Sequence, residues 1–171
     1  MSAAVCRAPA FHDSAAFAFT AALESRWREI HAEFLAVERE LVDYVERHLY
    51  DDGWQVFGLW NLPHREPLVD SARRCPVTAA LIESLLPGHG AAAFSVLQPR
   101  TRIRPHTGKP GPFLRCHLGL EVPAGDCRLR VEDQSRGWQA GRTLVFDDRL
   151  EHEAWNETDE RRVILLLDFV P

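Results

Sequence analysis

The chain has 171 residues, 46% of them hydrophobic and 26% charged, which is enough for one domain with a real core and unlike a disordered or fibrous chain. Twenty Lys+Arg against 25 Asp+Glu give a formal charge of -5, the wrong sign for a protein that lives on a phosphate backbone, so no nucleic-acid partner is expected. No uninterrupted apolar run reaches about 18 residues, so no membrane-spanning helix is expected either.

Residues 1 to 22 are rich in alanine, but Arg7, Pro9, His12 and Asp13 interrupt them before a signal-peptide core can form. They read as a flexible arm on a cytoplasmic protein. Cys6, Cys75, Cys116 and Cys127 form no C-x-x-C pair and read as free thiols of a reducing compartment, with Cys116 and Cys127 possible neighbours across a hairpin. From residue 24 to 49, Trp27, Ile30, Phe34, Val37, Leu41 and Tyr44 recur at steps of three and four, which predicts one amphipathic helix ended by Asp51-Asp52-Gly53. A second helix is predicted after Pro76, with Leu81, Ile82, Leu85 and Leu86 on one face before Pro87-Gly88.

After Gly90 short runs rich in Val, Leu, Ile and Phe alternate with Pro, Gly, Asp and Asn: residues 93–97, 102–106, 113–122, 127–131, 142–146, 152–155 and 162–170. This spacing predicts a β-sandwich or barrel. The organisation expected is a single domain, with a helical support over 23–90 and a β-core over 91–171.

Two imidazoles and several guanidinium groups fall inside these strands. His106 and His152 could converge as ligands of a first-row metal, or could be ordinary hydrogen-bonded histidines. In Phe113-Leu114-Arg115-Cys116-His117-Leu118 the period of two puts Phe113, Arg115 and His117 on one face. Arg162 opens the run Val163-Ile164-Leu165-Leu166-Leu167, apolar on both faces and therefore buried. A guanidinium there requires an anion, either a ligand carboxylate or an internal partner such as Asp147, Asp148 or Asp168. His152 and Arg162, ten residues apart across a polar turn, are expected on adjacent antiparallel strands. A metal beside a carboxylate-binding arginine suits a chelating keto-acid.

The segments Arg104-Pro105-His106-Thr107-Gly108, Leu114-Arg115-Cys116-His117-Leu118-Gly119-Leu120, Phe146-Asp147-Asp148, His152-Glu153-Ala154-Trp155-Asn156 and 162–168 resemble the aspartyl/asparaginyl β-hydroxylase family of iron(II)- and 2-oxoglutarate-dependent oxygenases. The resemblance spans about residues 53 to 171 and includes Trp54-Gln55-Val56-Phe57-Gly58-Leu59-Trp60. It implies a double-stranded β-helix, a cupin-like jelly roll flanked by α-helices. It also implies iron(II) on His106 and His152, the distal carboxylate of 2-oxoglutarate on Arg162 and Ser95, and Arg115 and His117 at the metal-proximal end. Trp60 would stand at the pocket mouth, with Phe113 and Arg115 toward the substrate.

The common facial triad of such oxygenases places a carboxylate two residues after the first histidine, and here that residue is Gly108. Glu153 faces away from its neighbour His152 and is no substitute. Two protein ligands are therefore expected. Phe113 and Gln55 stand where studied members of the family carry arginines; Arg100, Arg102 and Arg104 could compensate, since period two aligns them with His106, or could form a solvated strand end. The implied activity is O2-dependent hydroxylation of an amino acid, free or within a peptide, with release of succinate and CO2. A non-catalytic jelly-roll binding module and a halogenating oxygenase remain as alternatives, and oligomeric state is left open. Trp138 and Trp155 read as core residues.

Overall fold

Two antiparallel sheets face one another, and a layer of helices covers the outer face of the larger one. The computed structural model describes residues 9–61, 67–86 and 88–171. In chain order the strands are β1 (Phe11–His12), β2 (Val42–Asp43), β3 (Trp54–Trp60), β4 (Ala92–Leu97), β5 (Thr101–His106), β6 (Leu114–Glu121), β7 (Cys127–Val131), β8 (Gln134–Gly137), β9 (Thr143–Phe146), β10 (His152–Asn156) and β11 (Arg162–Phe169). The major sheet runs β1-β9-β6-β11-β4-β3-β2 and the minor sheet β5-β10-β7-β8. Successive strands of the C-terminal half pass from one sheet to the other, the wiring of a jelly roll. The expected fold class is the one observed.

Alternation along the major sheet sorts its side chains into two cores. Phe94, Val96, Leu114, Cys116, Leu118, Val163, Leu165 and Leu167 face the helices. Leu97, Phe146 and Ile164 face the minor sheet, where they meet Ile103, Leu129, Val131 and Ala154. Cys116 and Cys127 therefore sit in different cores and stay unbridged; they and Cys75 are free and buried.

The helices are α1 (Ala18–Ser25), α2 (Trp27–Val37), α3 (Val69–Arg74) and α4 (Pro76–Leu85). Ile30, Phe34 and Val37 of α2 pack against the sheet. The single helix expected to run on to residue 49 stops at Val37. Leu41 stays with the helix-side core, but Tyr44 crosses to stack on Trp54, ring centroids 4.0 Å apart; one helical face cannot serve both layers. Pro76 opens α4 as expected, and the carboxylate of Glu33 on α2 accepts hydrogen bonds from the Val77 amide (2.7 Å), the Thr78 amide (2.9 Å) and the Thr78 hydroxyl (2.6 Å). These satisfy donors that a helix start leaves unpaired. Among the described residues no helix is long and apolar enough to cross a membrane.

The arm expected over residues 1 to 22 is a correction from residue 10 onward. β1 pairs with β9, Phe11 opposite Phe146, and Asp13 caps the turn that follows by accepting from the Ala15 amide at 3.0 Å. The remaining residues, 1–8 with Cys6 and Arg7, lie outside those described.

Glu24 ties α1 to β9. Its carboxylate accepts from the Thr143 amide (2.8 Å), the Thr143 hydroxyl (2.7 Å) and Arg142 (2.9 Å). Burial raises its pKa, but these hydrogen bonds outweigh burial and hold it below the ordinary value. Its contribution is thus full above the unfolded-state pKa and is lost as pH falls through the lower folded-state value. Glu24→Ala should cost about 1 kcal/mol, since two partly buried donors lose their acceptor. Urea unfolding at neutral pH checks this, and the gap between the variant and the unaltered protein should narrow on acidification.

Candidate active site

Between the sheets lies a small cavity of about 40 Å³ that opens to solvent, lined among others by Trp54, Ser95, His106, Arg115, His117, Trp138, His152 and Arg162. Six strands contribute these residues and only Trp138 lies outside one, so the site rests on the rigid part of the fold rather than on loops.

His106 and His152 stand directly opposite one another on the paired strands β5 and β10, with ring centroids 4.3 Å apart. His106 Nδ1 donates to the Arg104 carbonyl at 2.7 Å, and His152 Nδ1 donates to the Leu150 carbonyl at 2.9 Å. A carbonyl can only accept, so both protons sit on Nδ1 and both Nε2 lone pairs are free. Burial, and then the neighbouring His106, pull the His152 pKa down to about 3, so it is neutral as a metal ligand must be. A pair of oriented imidazoles with backbone partners behind them fits a first-row metal ion.

Among the described residues no third His, Cys, Asp or Glu joins them as a ligand set. A Cβ at Gly108 would overlap the Asp148 carboxylate, and the Gly108 amide donates to the Asp148 carbonyl at 2.7 Å. Asp148 thus already fills the room that a triad carboxylate would need. Glu153 points away and pairs with Arg130 at 2.6 Å.

His106 faces the cavity because of a β-bulge. Pairing of β10 with β5 shifts between His152 and Ala154, where β5 carries one residue too many between Ile103 and His106. Ile103 lines the cavity, so strict alternation would have turned Pro105 inward and His106 out. Of the two readings open for the arginines nearby, the structure selects one. Arg100, Arg102 and Arg104 are exposed and bound to Asp159, Glu157 and Asp51 respectively. They are a solvated strand end.

Deeper in, Arg162 is 2% exposed and has no carboxylate partner among the described residues; its Nε is buried without a hydrogen bond. The three candidate partners are spent elsewhere. Asp168 grips Arg115 through two bonds of 2.7 and 3.0 Å, Asp148 joins Arg115 at 3.1 Å, and Asp147 holds Arg149 at 2.6 Å. Burial accordingly lowers the Arg162 pKa to about 10. Its one visible support is the face of Trp138, 4.7 Å from the guanidinium carbon. Ser95, opposite Ile164 in the β4–β11 ladder, and His117 complete a polar end to the cavity. His117 Nε2 is likewise buried without a partner.

This donor set fits an anion. A cation, an imidazole and a hydroxyl converge where no carboxylate among the described residues does: Arg162 and Ser95, with His117, expected at the metal-proximal end, beside them. Arg115 lines the cavity too, but its charge is already balanced by Asp168 and Asp148; only its NH1 takes no part in those bonds. His152 and Arg162 do not lie on adjacent strands as expected. The turn between them crosses from the minor sheet to the major one, and the two face each other across the cavity.

Two expected site residues are elsewhere. Trp60 is 4% exposed in the helix-side core, edge-on to His89 at 5.1 Å. A second bulge, between Gly58 and Trp60 in the β3–β4 pairing, turns it there. Phe113 precedes β6, beside Gly111, and lies outside the cavity lining. Gln55 faces Gln98, whose amide donates to it at 2.9 Å. Trp54 and Trp138, by contrast, line the cavity unexpectedly; the signal missed was that an indole N–H needs a buried acceptor.

Comparison with known proteins agrees with this geometry. The family model for aspartyl/asparaginyl beta-hydroxylase matches residues 24–171. An ornithine lipid ester-linked acyl 2-hydroxylase of Rhizobium tropici is 36% identical over 95% of this chain and 60% of its own length. The aspartyl/asparaginyl beta-hydroxylase of Mus musculus is 32% identical over 85% of this chain and 20% of its own length. The chain therefore spans about three-fifths of the first relative and one-fifth of the second. In fold it is similar to a Pseudomonas putida prolyl-4-hydroxylase, with a TM-score of 0.57, 16% identity and 86% of each chain covered. Two backbone-oriented imidazoles facing an uncompensated guanidinium, on strands that the family model spans from end to end, place this chain in the aspartyl/asparaginyl β-hydroxylase family.

Proposed function

We propose that the protein is an iron(II)- and 2-oxoglutarate-dependent hydroxylase, and the observation that carries this reading is Arg162, buried and unpaired, facing two metal-competent histidines. Iron(II) with 2-oxoglutarate and O2 supplies an oxidant able to attack an aliphatic C–H bond, leaving succinate and CO2 as the cosubstrate's products. His106 and His152 hold the metal at the cavity mouth. Arg162 and Ser95, with His117 beside them, bind the carboxylate far from the metal, and the free edge of Arg115 faces the near one. The apolar wall of Ile103, Leu129, Ala154, Ile164 and Leu166 keeps water from the reacting centre. The buried free thiols suit a cytoplasmic protein. Hydroxylation is preferred to halogenation because the Asp148 carboxylate occupies the room beside Gly108, a poor neighbour for a halide.

The substrate class expected from residue types is an amino acid, free or in a peptide. A specific observation favours a form of it that bears an acyl chain. The cavity-lining Leu166 lies opposite Ala93, and Ala93 opposite Gly58. A Cβ at Gly58 would come 2.9 Å from Leu68, so Leu68 leans over the same face. Val56 and Val42 follow in the next row, and Leu68 and Val42 are 39% and 61% exposed. Partly exposed apolar side chains thus run from the cavity mouth to the sheet edge across small residues. The name of the Rhizobium tropici relative, an acyl 2-hydroxylase, accords with this trough.

Succinate release, with mass analysis for a gained oxygen, should be measured across amino acids, short peptides and N-acyl amino acids of increasing chain length. Activity that rises with chain length is the expected result. Iron-independent behaviour and no response to 2-oxoglutarate would leave a non-catalytic binding module instead. His106→Ala or His152→Ala should abolish iron-dependent succinate formation while the circular dichroism spectrum is kept; full turnover in either variant would remove the ligand assignment. Arg162→Met should raise the 2-oxoglutarate requirement by roughly a hundredfold. In the absence of ligand the same variant should be as stable as the unaltered protein or more so, by about 1–4 kcal/mol, because an unpaired buried charge is replaced by an apolar chain. A large loss of ligand-free stability would mean that an internal partner of Arg162 had been broken.

A further inference from the structure

We propose that Trp138 and Trp54 are positioning residues which set the hydrogen-bonding polarity of the cavity's inner end, making it present donors and so select a carboxylate over an amide. The inference rests on the 2-oxoglutarate reading above and goes beyond it to the side chains that enforce it.

An indole N–H can donate and never accept. Trp138 Nε1 lies 3.2 Å from His117 Nδ1, so Nδ1 must offer its lone pair. The imidazole is neutral, because burial and the nearby Arg162 and Arg115 charges push its pKa well down. Its one proton is therefore on Nε2, the atom buried without a partner. Left to itself, a neutral imidazole could hold the opposite tautomer and present a lone pair instead. The ring of Trp138 also lies against the Arg162 guanidinium at 4.7 Å, so one side chain fixes both the cation and the tautomer of its neighbour.

Trp54 acts on Ser95 in the same sense. Its Nε1 donates to Ser95 Oγ at 3.1 Å, which occupies an acceptor position of the hydroxyl and leaves the O–H to donate. Tyr44 stacked on one side and Tyr50 edge-on at 5.5 Å hold the Trp54 ring in place. The inner end thus offers an O–H, an imidazole N–H and a guanidinium. A carboxylate accepts from all three. An amide of the same shape brings its own N–H donors against them and leaves buried donors unpaired.

The test compares the unaltered protein with Trp138→Phe and Trp54→Phe, each of which keeps an aromatic ring and removes the N–H. Nitrogen NMR of the metal-free protein should show His117 protonated at Nε2, and Trp138→Phe should give a mixture of tautomers. Calorimetric titration under nitrogen, with iron(II) present, should show 2-oxoglutarate binding weakened about tenfold in Trp138→Phe, the equivalent of one net hydrogen bond to a charged group. Preference for 2-oxoglutarate over its distal amide should shrink in both variants. His117 protonated at Nδ1 in the unaltered protein overturns the proposal without any variant, and so does unchanged discrimination in two folded variants. Failure of the unaltered protein to bind 2-oxoglutarate at all would instead strike the functional reading on which this rests.

Discussion

A guanidinium with no counter-charge, closed between two sheets, is the constraint around which the site is built. Removing a charge from water costs several kcal/mol unless an opposite charge meets it. Arg115 shows the compensated case, two carboxylates raising its pKa although burial alone would lower it. Arg162, one strand away on the same sheet, has its pKa lowered. The difference lies in how the acids are allotted. Asp147, Asp148 and Asp168 sit close enough in sequence to have served Arg162, and each is bound to another arginine. The fold tolerates this unpaired cation where an apolar residue would be cheaper, which is intelligible when a bound anion returns the cost.

How much of this was readable in the sequence depends on whether a strand keeps its alternation. β6 does, and Arg115 and His117 fall on the cavity face while Cys116 and Leu118 fall on the helix face, as the period of two requires. β3 and β5 do not. Each carries a bulge next to the residues that mattered most, so Trp60 turns into the helix-side core and His106 into the cavity. Counting by twos aligned His106 with three arginines that stay outward while the bulge turns the histidine in. A bulge depends on the partner strand, and nothing in the residues from Arg102 to His106 announces it apart from Pro105, which lacks the N–H that a regular ladder would use.

The other misreadings share a different cause. Residues 10 to 22 look like an arm because their composition is plain, yet a two-residue strand, a capped turn and one carboxylate fasten them to β9. The long apolar stripe through Trp27 and Tyr44 is real, but it serves two cores and therefore breaks. Trp54 and Trp138 look like packing by composition, and they are packed. What distinguishes them is the acceptor each N–H meets, Ser95 and His117, forty-one and twenty-one residues away in the chain. Such partners are fixed by topology, which local patterning does not contain.

The two ends of the cavity obey different rules, and this bears on where specificity resides. The inner end is enclosed, polar and set by side chains from β3, β4, β6 and β11, each locked by a neighbour. At the mouth the charges are already satisfied: Arg115 by two aspartates, Gln55 by Gln98, and the β5 arginines by surface acids. Among the described residues, what remains unsatisfied there is apolar, namely Leu68, Val42 and the shallow floor of Gly58 and Ala93. A substrate meeting this surface gains little from a negative charge and roughly 0.8 kcal/mol for each methylene it buries fully. Hydrophobic contact of that kind is additive along a chain and tolerant of its details, whereas the donor geometry at the inner end is neither. On the proposed reading, the site demands one cosubstrate chemistry and grades its substrates by apolar length.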